Sequence, residues 1–275
     1  MNREQINDIT VMTYDSLKKY KLPHCMSTRQ GGVSSGVYES MNLGFGRGDS
    51  DENVRDNYKR MAAVLGVDMN KMCLSQQTHT TNVRVITAED AGNGIVRDLP
   101  YTDVDGMITN VKGITLVTFY ADCVPLFFYD PVHEAIGLSH SGWRGTVGKI
   151  GQVTIEKMKE TYGSRAEDII CCIGPSICKD CYEVSEDVIQ EFVKAFGEDR
   201  KSMLCSPSKF HPDDPSKYML DLWMANKLVF LDAGIKEENI EVTDYCTKCN
   251  PKLFYSHRIM GANRGSLAAF LGLPE

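Results

Sequence analysis

Apolar residues along the chain follow two different spacings. From Asn53 to Leu65 they fall at Val54, Tyr58, Met61, Ala62 and Leu65, a helical period. Acidic residues precede this run and Gly66 follows it, which predicts a helix with a start and a stop. Shorter apolar runs of strand length come next: Met72–Gln76, Asn82–Thr87, Gly106–Thr109, Ile114–Tyr120, Val124–Tyr129 and Ala135–Ser139. The last two are joined by a hairpin-like turn, Asp130–Glu134. A helix is predicted from about Thr146 to Tyr162, closed by Gly163, and then a buried strand, Asp168–Ile173. Helical spacing returns at Ser185–Phe196, with Ser185 as cap and Gly197 as stop, and at Asp221–Ala233. Strands at Ile240–Thr243, Leu253–Ser256 and Ser266–Leu271 finish the pattern, and Lys201–Lys217, with its prolines and serines, reads as an excursion loop. Runs of strands followed by mixed elements predict an α+β fold in a single domain over residues 1–275. No GxGxxG or GxxxxGK[ST] follows a strand, so dinucleotide-binding and P-loop readings find no support.

Composition narrows the function classes. Hydrophobic residues make up 42% and charged residues 24% of the 275, as in ordinary globular proteins. A net charge of -7 argues against non-specific nucleic-acid binding, which needs a positive surface, but leaves room for a small anion held by local arginines. Met1–Pro23 has no apolar core of signal-peptide length, and no run approaches the roughly 20 apolar residues of a membrane span; the expectation is a cytoplasmic protein. In that setting the ten cysteines are expected as free core thiols, metal ligands or a catalytic thiol rather than disulfides.

Three apolar strands lead into reactive side chains: His79 in QQTHTTNV, Asp122 and Cys123 in YADCVP, and His140 in AIGLSHSGWRGTVGK. One cysteine and two histidines can form a catalytic zinc set with a fourth position left for water, whose pKa the metal would lower. The same residues can instead make a thiolate nucleophile, Cys123, with His140 as base and Asp122 or another polar group as orienter. A buried cysteine and two hydrogen-bonded histidines would need neither. Two CxxC pairs, Cys178–Cys181 and Cys246–Cys249, are separated by far more than in a compact zinc ribbon. They either converge as a four-cysteine structural site or line loops and core edges, and the strand-like YEV after Cys181 favours the second. Arg29 lies in a Gly- and Ser-rich turn, STRQGGVSSG, Arg144 at a helix start and Arg258 after a strand, contexts that suit an anionic substrate group.

The segments STRQGG, NLGFGRGD, QQTHTTNV, ADCVPL, HSGWRG, IGPSIC…CYEV and FYSHR, in this order, resemble the YfiH-like family, also called the laccase-domain or multicopper polyphenol oxidase family. The resemblance runs from about Cys25 to Ala269. It implies one domain of central β-sheets flanked by helices, similar to the catalytic domain of cytotoxic necrotizing factor. It implies a metal site at His79, Cys123 and His140, with zinc as cofactor and copper as an alternative. Gly142 and Gly145 would then permit the turn after His140, and Trp143 would wall the pocket. The implied activity is zinc-dependent phosphorolysis of adenosine, inosine, guanosine or methylthioadenosine, with deamination of adenosine. The substrates would be purine nucleosides and phosphate. Beside the metal ligands, Asp122, Arg29 and Arg144 are the catalytic candidates and Asn42 and Arg258 the candidate substrate contacts. A Cys–His amidase in peptidoglycan precursor editing and a copper-dependent polyphenol oxidase are the alternatives, the oxidase less favoured because three ligands make one metal site. Two departures stand out. SHRIMGANRG replaces the family's SHRR or SYRR followed by TGR, leaving Arg258 in place and Arg264 as a stand-in for a later arginine; Thr80 stands where glycine is common, which would narrow the pocket beside His79.

Overall fold

Strand faces of period two assemble the molecule. The computed structural model describes residues 1–275. One six-stranded sheet has the order β1 (Asn2–Ile6), β2 (Ile9–Thr13), β3 (His24–Ser27), β15 (Leu267–Gly272), β7 (Thr115–Tyr120), β4 (Met72–Leu74). The second has the order β14 (Ile240–Val242), β10 (Ile170–Ile173), β8 (Val124–Asp130), β9 (Ala135–Ser141), β6 (Gly106–Thr109), β5 (Val83–Val85). Both are mixed: β4–β7, β5–β6 and β10–β14 pair parallel, the rest antiparallel.

Alternate residues of one strand serve different cores. Leu267, Ala269 and Leu271 of β15 join Phe127, Ile136, Leu138 and Ile170 of the second sheet in one apolar cluster, so the two sheets pack face to face. Ala268 and Phe270 point the other way, onto Val54, Tyr58 and Met61 of the helix Asp51–Leu65. In β8, Leu126 and Phe128 turn from that central core toward Ile155, Met158, Phe192, Val229 and Phe230, which belong to the helices Ile150–Tyr162, Glu186–Phe196 and Leu222–Asp232. Each fully buried phenylalanine contributes about 1.5–3 kcal/mol over exposure. The result is helix, sheet, sheet, helices, which bears out the α+β reading with helices flanking central sheets. No helix is long and apolar enough to cross a membrane.

Local signals explain the helix ends. Ser50 accepts a hydrogen bond from the Asn53 amide at 3.1 Å, and Gly66 closes that helix at φ 66°. Asp221 caps Leu222–Asp232 through the Met224 amide at 2.9 Å. Ser185 occupies the expected cap position, but its hydroxyl bonds the Asp187 carboxylate instead of a backbone amide.

Four expectations change. The helix expected at Thr146–Tyr162 is two helices, Trp143–Val147 and Ile150–Tyr162, because Lys149 is left-handed at φ 56°. A Cβ at the preceding Gly148 would lie 2.6 Å from the Thr81 methyl, so glycine is needed there for clearance. Leu253–Ser256 is not a strand. It is a buried turn whose amides at Leu253 and Phe254 bond the Asn250 carbonyl, showing that an apolar run signals burial and not a ladder. The stretch Lys201–Lys217 contains the short helix Lys201–Leu204 and β12 (Cys205–Pro207), and it ends at β13 (Lys217–Leu220). With β11 (Glu183–Ser185) these strands form a third, antiparallel sheet. Finally, the hairpin β1–β2 and strand β3 went unread: β1 is the polar edge NREQI, which carries no alternation to detect.

Candidate metal centre

Pairing of β8 with β9 sets two of the three predicted donors side by side. Val124 is opposite Ser141 and Pro125 opposite His140, so Cys123, in the turn before β8, sits next to the end of β9. His140 continues the inward face of Ile136 and Leu138. His79 arrives from the loop after β4. Its Nε2 is 3.9 Å from the Cys123 Sγ, and its ring meets that of His140 edge-on at 4.8 Å between centroids. Ligand atoms of His79, Cys123 and His140 all lie within 4.8 Å of one another. Gly142 has an ordinary φ of -72°, so the turn does not require it; close approach does, since a Cβ there would lie 2.9 Å from His79 Cδ2 and 3.2 Å from Cys123 Sγ.

Asp105, which the sequence reading did not single out, organises this centre. It is fully buried, just before β6. Its Oδ1 receives the His140 Nδ1 at 2.8 Å and the His79 amide at 3.1 Å. Its Oδ2 accepts from the amides of Thr78 and Thr80, each at 2.9 Å, and from the Thr80 hydroxyl at 3.1 Å. One carboxylate therefore orients one histidine and holds the loop bearing the other. That loop needs holding: His79 is left-handed at φ 68°, a strain of about 1–3 kcal/mol. Asp122, beside Cys123, is also left-handed at φ 86°. Thr80, expected to narrow the pocket, turns its hydroxyl to Asp105.

The charges reinforce one another. Burial works against ionising Asp105, but the hydrogen bond from His140 and the amide donors hold its carboxyl below the usual range. Burial likewise opposes charge on Cys123, yet His140 and His79 outweigh it and draw the thiol down to about 6. For His140, burial is overcome by the Cys123 thiolate and by Asp105, which lift the imidazole to about 9. With Nδ1 turned to Asp105, the Nε2 of His140 is the nitrogen left to face Cys123.

All three donors line a cavity of about 960 Å³. Six arginines, at 47, 55, 97, 144, 258 and 264, and three aspartates, at 51, 98 and 122, share its lining, so a chain of net negative charge presents a positive cleft. Phe45, Ile95, Leu99, Phe119 and Trp143 add apolar wall. Arg264 has a buried Nε with no partner, and burial together with Arg47 lowers its guanidinium to about 10. Arg144 lies over the Trp143 ring at 4.2 Å; Arg258 lies over Tyr182 at 5.1 Å and donates to the Glu183 carbonyl at 3.0 Å.

Other predicted residues sit elsewhere or are otherwise engaged. Arg29 is outside the cavity lining, donating to the carbonyls of Glu39 at 2.9 Å and Pro251 at 3.1 Å and covering Tyr255. Asn42 is fully buried and also outside the lining; its amide bonds Asp49, and its oxygen accepts from Gly44 and Ser266. Asp122 reaches the cavity, but its carboxylate is gripped by the Thr247 hydroxyl at 2.5 Å, the Ser256 hydroxyl at 3.0 Å and the Arg258 amide at 2.7 Å. The carboxylate that orients His140 is thus Asp105, not Asp122. Both CxxC pairs, expected to line loops, instead meet, with ligand sulfurs within 4.8 Å of one another.

Two imidazoles and a thiolate, backed by a carboxylate and facing a cavity, suit a metal ion with an open coordination position. The description of the matching family is consistent with a metal ion. Residues 23–274 match the family described as multi-copper polyphenol oxidoreductase laccase. The purine nucleoside phosphorylase YlmD of Bacillus subtilis is 36% identical over 250 residues, 90% of this chain and 87% of that protein. The adenosine deaminase RL5, from an unknown prokaryotic organism, is 32% identical over 91% of this chain and 94% of its own length. Among solved structures, the hypothetical protein YfiH of Bacillus licheniformis superposes with a TM-score of 0.89 at 29% identity, covering 98% of both chains.

Proposed function

The chain belongs to the multi-copper polyphenol oxidoreductase laccase family, and on that premise we propose that it is a zinc-dependent purine nucleoside enzyme, cleaving nucleosides with phosphate and deaminating adenosine. The observation that carries this reading is the juxtaposition of the His79–Cys123–His140 donor set with an arginine-rich cavity large enough for a nucleoside and phosphate. A zinc ion held by His79, Cys123 and His140 would supply Lewis acidity and lower the pKa of a water molecule. Asp105 keeps His140 in the tautomer protonated on Nδ1, leaving Nε2 as the donor. Arg144, Arg258 and Arg264 are the proposed anion contacts. The unpartnered Nε of Arg264 favours an anionic ligand, since a buried donor left unpaired costs about 1–3 kcal/mol. In phosphorolysis, phosphate held there attacks the ribose carbon as the purine leaves; the apolar wall of Phe45, Phe119 and Trp143 receives the base. Arg29 and Asn42 act as loop anchors in this scheme, and Asp122 as the clamp behind Cys123.

A Cys–His amidase is the second reading, favoured by one observation: Cys123 lies beside the imidazoles of His79, at 3.9 Å, and of His140, which Asp105 orients, an arrangement that also draws the thiol pKa down. One experiment separates the two. The purified protein is assayed for adenosine, inosine and guanosine turnover, with and without phosphate, before and after chelation. Turnover lost on chelation and restored by zinc supports the nucleoside reading. No nucleoside product from a zinc-loaded protein overturns it, and cleavage of an acylated muramyl substrate that survives chelation and is abolished by Cys123→Ala establishes the amidase.

A further inference from the structure

The two CxxC turns come together behind the cavity wall: Ile177 and Tyr182, which flank the first turn, line the cavity, whereas none of the four cysteines does. Ser176 and Cys246 form a parallel bridge, which aligns the two segments. The Cys178 amide reaches the Cys246 sulfur, and the Cys181 sulfur lies beside that of Cys249, so the two turns face each other cysteine to cysteine. The sulfurs lie within 4.8 Å of one another, with Cys181 and Cys249 at 3.4 Å. A zinc ion with Zn–S bonds of about 2.3 Å at the centre of a tetrahedron separates its sulfurs by roughly 3.8 Å. A disulfide needs about 2.05 Å, and all four cysteines are free.

The surroundings of the Cys246 sulfur suit a thiolate. Backbone amides of Cys178 and Cys249 donate to the Cys246 sulfur at 3.3 and 3.4 Å, the kind of outer hydrogen bond that fixes a ligand. Cys181 and Cys246 are buried, and only Cys249 is exposed. Each turn carries a lysine between its cysteines, Lys179 and Lys248, and Lys209 reaches Asp180 at 3.0 Å. Lys179 and Lys248 therefore stand beside four thiolates around a divalent ion, net minus two once four protons have gone to solvent, while Lys209 neutralises Asp180 in the first turn.

We propose that Cys178, Cys181, Cys246 and Cys249 hold a structural zinc ion, a second metal site distinct from the cavity. With four protein ligands the site is closed, so its work is mechanical. It ties the segment around Ser176–Cys181 to the segment around Cys246–Asn250. Both segments grip Asp122: the Ile177 amide donates to its carbonyl at 3.0 Å and the Thr247 hydroxyl to its carboxylate at 2.5 Å. The quartet therefore clamps the residue that precedes Cys123.

The test uses the full chain with His79→Ala and His140→Ala, which remove the nitrogen donors of the cavity site and leave the quartet intact, so its outcome does not depend on the nucleoside reading. The protein, purified under reducing conditions, is stripped of metal and titrated with cobalt(II) alone. One equivalent taken up with intense thiolate-to-cobalt charge-transfer bands and tetrahedral d–d bands, then displaced by one equivalent of zinc, is the expected result. Cys181→Ser with Cys249→Ser in the same background should abolish those bands. If that variant fails to fold, protection of four thiols from a thiol reagent by zinc in the parent carries the same information. Cobalt uptake without thiolate bands, no uptake at all, or two disulfides in the freshly purified chain would overturn the proposal.

Discussion

The trio and the quartet are built from similar donors to opposite ends. His79, Cys123 and His140 come from a loop, a strand turn and a strand end of two sheets, mix nitrogen with sulfur, and open onto an arginine-lined cavity. The quartet comes from two matching turns, is all sulfur, and keeps its four cysteines off the lining of that cavity. Behind the trio stands a carboxylate, Asp105, which tunes a histidine; behind the quartet stand backbone amides, which only fix sulfur. Access and donor mixture, rather than the number of cysteines, separate a centre suited to chemistry from one suited to holding loops.

The comparison can be broken most severely at the trio. His140→Ala or Cys123→Ala should lower kcat/KM for nucleoside phosphorolysis by at least about 10³-fold, several kcal/mol of lost metal assistance. Metal analysis should show one equivalent gone and the thiolate–cobalt signal of the quartet unchanged. Turnover within tenfold of the parent would remove the trio from the chemistry. Asp105→Asn is next: it keeps the size but not the charge, and should weaken zinc at the trio by about 10–100-fold, measured by competition with a chromophoric chelator.

At the quartet the balance of effects should invert. Cys181→Ser with Cys249→Ser should cost about 2–3 kcal/mol and lower Tm by roughly 5–10 °C, with kcat/KM falling less than tenfold. Calorimetry and steady-state rates on one preparation check both halves. The smallest effect is expected where the two regions touch. Thr247→Val leaves the Asp122 Oδ1 without its hydroxyl donor, a loss of about 1 kcal/mol, so a few-fold fall in kcat with metal content unchanged is the expected outcome.

How far each region was legible follows from how local its determinants are. His79, Cys123 and His140 stood out because reactive side chains at the ends of apolar runs are visible one segment at a time. Asp105 was not visible: DVDG before a short strand resembles any polar turn, and its role comes from β6 pairing with β9, where Gly106 meets Ser139. Both CxxC pairs were legible as spacing, whereas their meeting depends on a bridge between residues 176 and 246 that no local pattern encodes. Arg29 sat in a turn that looked suited to an anion and Asn42 was expected to touch substrate, yet backbone carbonyls and amides, some from distant segments at Pro251 and Ser266, occupy them. The sheets themselves were mostly readable, through alternation; the polar β1 and the buried turn at Leu253–Ser256 were not, because there burial and periodicity part company.

The place of β15 bears on the timing of biosynthesis. It is hydrogen-bonded between β3 and β7, yet follows both in the chain by a long interval. A ribosome releases β1–β3 and the β4–β7 pair long before the strand that joins them, so two apolar half-sheets wait with open edges. The loop with Ser256 and Arg258, which grips Asp122, emerges only shortly before β15. Closure of the first sheet and completion of the clamp behind Cys123 therefore belong to the same late stage of synthesis, and a nascent chain stalled before Leu267 would present chaperones with an unfinished sheet.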